Sequence, residues 1–223
     1  EEGAVIEASI INVKDSKIYI GKNAEVMEGS LLRGSISLGE HSQIKMGAKI
    51  YGATTIGPHS KVGGEVNNVV IFGYSNKAHD GFFGNSVIGE WCNIGADSNT
   101  SNLKNDYGKV KLWNYPKRKF DLTGLQFCGL ILGDHVKCGI NTMFNTGSVI
   151  GVSSNIFGAD YIPNFVGCFR WGGAKGFCDC RYEKAVSIAQ SMYGRRHKVF
   201  DEVEQEILLE VYNQAKSWNE PQF

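Results

Sequence analysis

An all-β solenoid of hexapeptide repeats, followed by a helical C-terminal extension, is the fold class that this 223-residue sequence predicts. Three observations carry that expectation. Glycine is abundant at 28 copies while proline is scarce at 4, a balance that points to many tight turns rather than to disorder. Aliphatic residues recur every six positions without a slip, at Ile20, Val26, Leu32, Leu38, Ile44, Ile50, Ile56 and Val62. Four positions after each stands a mostly small residue: Ala24, Ser30, Ile36, Ser42, Ala48, Thr54, Ser60 and Val66.

A six-residue period excludes an amphipathic helix, because 3.6 does not divide it. It suits a triangular solenoid, in which each hexad supplies one short strand and one corner and three hexads complete a coil. Coils then stack at the strand spacing of about 4.8 Å. The aliphatic residue fills the prism interior, the small one fits where the wall turns, and glycines such as Gly21, Gly39, Gly57 and Gly63 relieve the corner backbone. The phase shifts and resumes at Phe82, Ile88 and Ile94, then returns at Leu132, Cys138, Phe144, Ile150 and Ile156. Residues 1–165 are therefore expected as the β-helix, with corner loops near 67–81 and 102–126, where insertions build binding surfaces. Residues 166–223 are expected as a largely helical extension. Apolar spacing turns helical over Arg181–Gly194 and again over Asp201–Trp218, with Asp201 as N-cap and Glu204 three residues on. A helix there would cover the sheet edge that the last coil leaves open.

Acidic and basic residues balance at 23 each, so no bulk field points to nucleic acid or an anionic membrane. No apolar run approaches a membrane span, and Glu-Glu-Gly-Ala is not a secretion signal, so a cytoplasmic setting is expected. The six cysteines fit a reduced protein better than a disulfide framework, and Cys178-Asp179-Cys180 lacks zinc-ligand spacing, so no metal is expected. The 102–126 segment gathers Lys104, Lys109, Lys111, Lys117, Arg118 and Lys119 with four aromatics. Its composition fits a solvated surface, an anion site for a phosphate or, least well, a nucleic-acid patch.

Chemistry is expected where the repeat breaks. His79-Asp80-Gly81-Phe82-Phe83-Gly84-Asn85-Ser86-Val87-Ile88-Gly89-Glu90-Trp91-Cys92-Asn93-Ile94-Gly95-Ala96 resembles the His-x-x-aromatic-x-Gly-x-x-x-Ile-Gly-x-x-x-Asn-Ile-Gly-Ala-Gly signature of the bifunctional N-acetylglucosamine-1-phosphate uridyltransferase/glucosamine-1-phosphate acetyltransferase family. Thr100-Ser101-Asn102-Leu103 looks like that family's Thr-x-Asn segment before a basic corner loop. The likeness covers residues 20 to 160 and is specific over 65 to 103.

The resemblance implies a left-handed β-helix that assembles as a homotrimer, with acetyl-CoA as co-substrate in the groove between prisms and a sugar or sugar phosphate as acceptor. His79 would be the general base, and Glu65, fourteen residues earlier, would orient it; such a carboxylate fixes the tautomer and raises basicity. Asn93 matches a sugar-contacting Asn, and Ala96 and Asn102 match positions beside the acetyl group and pantetheine arm. Lys49 falls where the family has a phosphate-binding Arg, keeping charge but losing the bidentate fork. Lys109 is placed as the basic loop residue, and Ile140 and Gly158 fall where the family holds the cofactor through backbone groups. Three departures stand out: Asn67 replaces a sugar-phosphate Lys, Phe82 a Tyr, and Asp97 a Gly. Losing a cation and a hydroxyl weakens anion recognition, by about 1.5–3 kcal/mol for a charged hydrogen bond.

That family places a nucleotidyltransferase domain ahead of the β-helix. The missing initiator Met and the lack of a Gly-rich nucleotide loop predict that such a domain lies outside this segment. Two further readings remain at this point. One is a non-catalytic trimerisation or regulatory domain of a sugar-1-phosphate nucleotidyltransferase. The other is a zinc-dependent hexapeptide-repeat carbonic anhydrase, for which His41 and His59, one coil apart, are the only stacked candidates.

Overall fold

The computed structural model describes residues 1–14 and 16–217; Trp218, expected at the end of the second helix, lies outside them. The chain winds as a left-handed parallel β-helix with three faces. Face one carries ten strands, from Val5–Ile6 to Gly176–Asp179. Face two carries five, from Ile10–Asn12 to Phe82–Gly84, with the Asn99–Thr100 and Met143–Phe144 pair beyond them. Face three carries eight, from Ile18–Ile20 to Phe165–Val166.

The hexad pattern fills the interior as its chemistry requires. Val26, Leu38, Ile44, Ile50 and Val62 are fully buried in one continuous core, each contributing roughly 1.5–3 kcal/mol by leaving water. The small slot does more than make room. The Ser60 hydroxyl donates to Phe72 O at 2.8 Å and accepts from the Ser75 N–H at 3.1 Å. The Ser75 hydroxyl repeats the pattern one coil on, donating to Gly89 O and accepting from the Cys92 N–H. These hydroxyls knit successive coils where the turning backbone would otherwise leave polar groups unpaired.

Residues 67–81 are not a corner loop. They form a shortened coil, with strands at Val70–Ile71 and Asn76–Lys77 paired parallel on both sides. Pairing satisfies the backbone of this segment, so the apparent interruption is a deletion rather than an insertion. The shift also exchanges two neighbours: Phe83 is the fully buried interior residue, while Phe82 is only half-buried. Residues 102–126 do leave the prism, as an antiparallel hairpin of Lys111–Asn114 and Lys119–Leu122. Trp113 anchors it by stacking on Phe165 at 4.1 Å.

Strands continue past residue 165, the boundary expected between the β-helix and the largely helical extension. Arg170–Gly173 pairs parallel with Asn155–Ile156 and antiparallel with Gly176–Asp179, so a hairpin closes this end of face one. Helices α1 (Tyr182–Gly194) and α2 (Glu202–Ser217) then pack on the flank of the prism rather than across its end. The Asp201 carboxylate caps α2 by accepting the Glu204 N–H at 3.0 Å.

An aromatic ladder directs that docking. His41, His59, Tyr74 and Trp91 occupy the same corner in successive coils, all at positive φ, and their rings stack at 4.9, 4.7 and 4.2 Å. Tyr193 of α1 extends the stack over Trp91 at 3.9 Å and separates it from His135 at 6.4 Å. His135 Nδ1 is buried without a hydrogen-bond partner, and burial, reinforced by Lys137, pushes this imidazole down to about 3. Between pH 6.5 and 3 the unfolded chain therefore takes a proton that the folded chain refuses. Stability is expected to fall below pH 6.5 by up to about 1.4 kcal/mol per pH unit from this group, and His135→Leu should flatten the slope of thermal unfolding against pH.

Candidate active site

His79 lies on the corner between faces one and two, and the shortened coil puts it there. Neighbouring strands on face one pair Gln43 with Lys61, and an equal step onward would set Lys61 against His79. The structure sets Lys61 against Asn76 instead, carrying His79 forward off the strand and round the corner. Lys77 occupies the interior position opposite Val62, fully buried, and its ammonium donates to His79 O at 2.6 Å. Burial lowers Lys77 to about 8 even though Asp80 and Asp97 pull the other way. Gly81 completes the turn at φ +114, with no space for a side chain: a Cβ would meet Ser98 O at 2.0 Å.

The turns above repeat this corner. Asp97 N–H donates to Asp80 O at 3.1 Å and Asn141 N–H donates to Ala96 O at 2.8 Å, so Ala96 and then Ile140 follow His79 along one ridge, with Gly158 a turn further at φ +100. Exposed Met46, Ile140 and Phe157 make the ridge apolar.

On the face-two side stand Lys49, Glu65, Asn67 and Phe82, brought together by strand register: Glu65 lies between Lys49 and Phe82. The Glu65 carboxylate accepts the Tyr51 hydroxyl at 2.7 Å and lies 3.9 Å from the exposed Lys49 ammonium. The hydrogen bond to Glu65 raises the Tyr51 phenol. Among the described residues no hydrogen bond joins Glu65 to His79. Phe82 N–H donates to Asn99 Oδ1 at 2.8 Å.

On the face-one side a groove of about 490 Å³ runs from His79 past Asn76 and Asn93 to the end of α1, where Arg195 and Arg196 form its far wall. Sequence reasoning placed Asn93 here but missed Lys61, Lys137, Arg195 and Arg196. The adjacent arginines at the end of a helical run were a visible signal, but only the aromatic ladder reveals which surface that run meets.

Leu103 and Lys109 belong to a different corner, between faces two and three. They line a cavity of about 700 Å³ with Lys104, Lys111, Phe120 and Tyr161, formed between the hairpin and the last coils. Asn102 stands at the same corner, its amide donating to Asn85 Oδ1 at 2.7 Å. The expected residues thus divide between two corners of one chain. Among the described residues no cluster of three or more His, Cys, Asp or Glu gathers as a metal site, and His41 and His59 serve the aromatic ladder. No described helix is long and apolar enough to cross a membrane.

No family model matches the chain. Among curated proteins, the bifunctional sugar-1-phosphate nucleotidylyltransferase/acetyltransferase of Sulfurisphaera tokodaii is 31% identical over 173 residues, covering 74% of this chain and 43% of that protein. The bifunctional protein GlmU of Methanocaldococcus jannaschii is 36% identical over 87 residues, 39% of this chain and 21% of that protein. The chain is similar in sequence to these bifunctional GlmU-type proteins. It spans less than half the length of the curated GlmU-type relatives it matches. Among solved structures, a putative acetyltransferase from Bacillus cereus aligns with a TM-score of 0.41 at 10% identity, over 95% of this chain and 98% of that one.

The corner that carries His79 is expected to be rigid. Gly81→Ala should cost more than the roughly 1–2 kcal/mol of a left-handed residue alone, because the added Cβ also collides with Ser98 O; denaturant unfolding measures it.

Proposed function

We propose that this chain is an acetyl-CoA-dependent acetyltransferase acting on an amino sugar or sugar 1-phosphate, with His79 as general base. The observation that carries the reading is the position of His79. It sits at a corner made by a local change of coil length, with a polar groove on one side and the apolar ridge of Met46, Ile140 and Phe157 above and below. The similarity to a bifunctional nucleotidylyltransferase/acetyltransferase supports the same reaction class.

In this mechanism the imidazole takes a proton from the acceptor nitrogen or hydroxyl as that atom attacks the thioester carbonyl. A bond from acceptor to carbonyl carbon forms, the carbon–sulfur bond breaks, and the proton passes to the departing CoA thiolate. The Ala96 backbone N–H serves as oxyanion donor. Asn93 contacts the acceptor, and Lys49, Asn67 and Phe82 border it on face two. The pantetheine arm follows Ala96, Ile140 and Gly158. Glu65 orients the imidazole by exchanging the Tyr51 hydroxyl for it.

The cavity with Leu103 and Lys109, beside Asn102, lies on another corner, and a homotrimer would set it across a crevice from the His79 ridge of a neighbouring protomer. Lys104, Lys109 and Lys111 then meet the cofactor phosphates. Such an enzyme needs no metal and draws acetyl-CoA from the cytoplasm.

One observation favours the second reading, a non-catalytic trimerisation domain: Glu65 bonds Tyr51 and not His79. Thiol release from acetyl-CoA, measured against a panel of amino sugars and their 1-phosphates, separates the two. His79→Ala is expected to lower turnover by roughly 10²–10⁴-fold with the assembly size unchanged by gel filtration. Unchanged turnover removes His79 from the mechanism, and no calorimetric heat at millimolar acetyl-CoA supports the scaffold.

A further inference from the structure

The face-one groove holds more positive charge than its surroundings offset. Lys61 and Lys137 stand on face one three coils apart, with Asn76 and Asn93 between them, and Arg195 and Arg196 close the opposite wall. Among the described residues no salt bridge joins any of the four to a carboxylate. The acidic group that most affects Lys61 is Glu25, whose carboxylate is engaged by the Gln43 amide at 2.8 Å. The cations oppose one another instead: Arg196, Lys45 and Arg195 add to burial in lowering Lys61, and Arg195 adds to burial in lowering Arg196.

Two of these groups are held in place. The Arg196 guanidinium donates to Asn76 Oδ1 at 3.1 Å, reaching across to face one rather than back to the carbonyls that end α1. The Lys137 ammonium donates to Trp91 O and His135 O at 3.1 and 2.6 Å. Fixed like charges in a concave site are unfavourable until an anion enters, and guanidinium groups offer paired donors that match phosphate oxygens. The groove suits a small ligand rather than a polymer, since the chain has no net charge to hold one.

We propose that this groove is a phosphate-monoester site, built by Arg195 and Arg196, which follow α1, with Lys61 of face one, and that it takes the phosphoryl group of the acceptor beside His79. The family resemblance would put that phosphate on face two, at Lys49 and Asn67. There the single cation is solvent-exposed and lies against Glu65, and the second position is neutral. The anion site has moved across the corner, onto residues the family signature does not contain. The acceptor assignment rests on the acyl-transfer reading above; the anion site itself does not.

Calorimetry on the whole chain tests it, with inorganic phosphate, glucosamine 1-phosphate, glucosamine, CoA and dephospho-CoA as probes. Glucosamine 1-phosphate should bind, inorganic phosphate should compete with it, and the Arg195→Ala/Arg196→Ala variant should weaken it by roughly 10- to 100-fold while CoA binding is unchanged. Lys61→Gln, on a face-one strand outside α1, should lose affinity in the same direction even if the double variant disturbs the helix. Equal binding by wild type and both variants overturns the proposal. So does a loss confined to CoA and absent for dephospho-CoA, which would assign these cations to the cofactor's 3′-phosphate. If His79→Ala leaves turnover intact while the arginine pair still governs phosphate binding, the catalytic reading fails and the anion site stands.

Discussion

Parallel pairing between successive coils is the constraint on which the rest depends. Each strand must meet its neighbour in fixed register so that one residue per hexad points into the prism and every backbone group finds a partner one coil away. A coil can therefore change length only at its corners, and each change rotates what the corner displays. The chain uses both directions of this freedom. A shortened coil brings His79 onto an exposed ridge, and a long insertion lifts a hairpin off the next corner to wall a cavity. The third corner is kept regular, and it carries the aromatic ladder.

That ladder converts a repetitive surface into a specific docking site. A left-handed corner residue needs a conformation that glycine, Asn and His accept most easily, yet Tyr74 and Trp91 adopt it as well. The strain is offset by ring stacking with neighbours above and below, about 0.5–1.5 kcal/mol per aromatic pair beyond area burial. Tyr193 enters the stack between Trp91 and His135 and so fixes the position of α1 along the prism. The arginines that follow α1 are thereby set over face one beside Asn76 and Asn93. Stacking at one corner determines the electrostatics of the face next to it.

Much of the fold was legible because its periodicity is local. Eight aliphatic residues in one phase specify the interior, and Asp201 with Glu204 marks the start of α2. Where the reading failed, two explanations competed locally. Residues 67–81 break the hexad phase, and a broken phase looks alike whether residues have been added or removed; only strand pairing distinguishes them. Phe82 and Phe83 are adjacent, so either could fill the interior until the register is known. The site was less legible still. His79 and Ala96 share a corner as the motif suggests, but Leu103 and Lys109 stand on another, and the bond between Glu65 and Tyr51 comes from face-two side chains fourteen residues apart.

Lys77 shows why the repeat fails beside His79. An ammonium inside a hydrophobic prism carries a desolvation cost of several kcal/mol, which an aliphatic residue such as Val62 or Ile94 at the same position avoids. The cost is borne because the ammonium binds the His79 carbonyl and lies 5.3 Å from the centre of the Phe83 ring, tying the corner to the core. Asp80 and Asp97 supply the opposing charge from successive turns of that corner. Asp97, a departure from the family signature when read along the chain, is thus part of the electrostatic support for Lys77. An acidic residue there and a basic residue in the core form one device, which ties the His79 turn to the core.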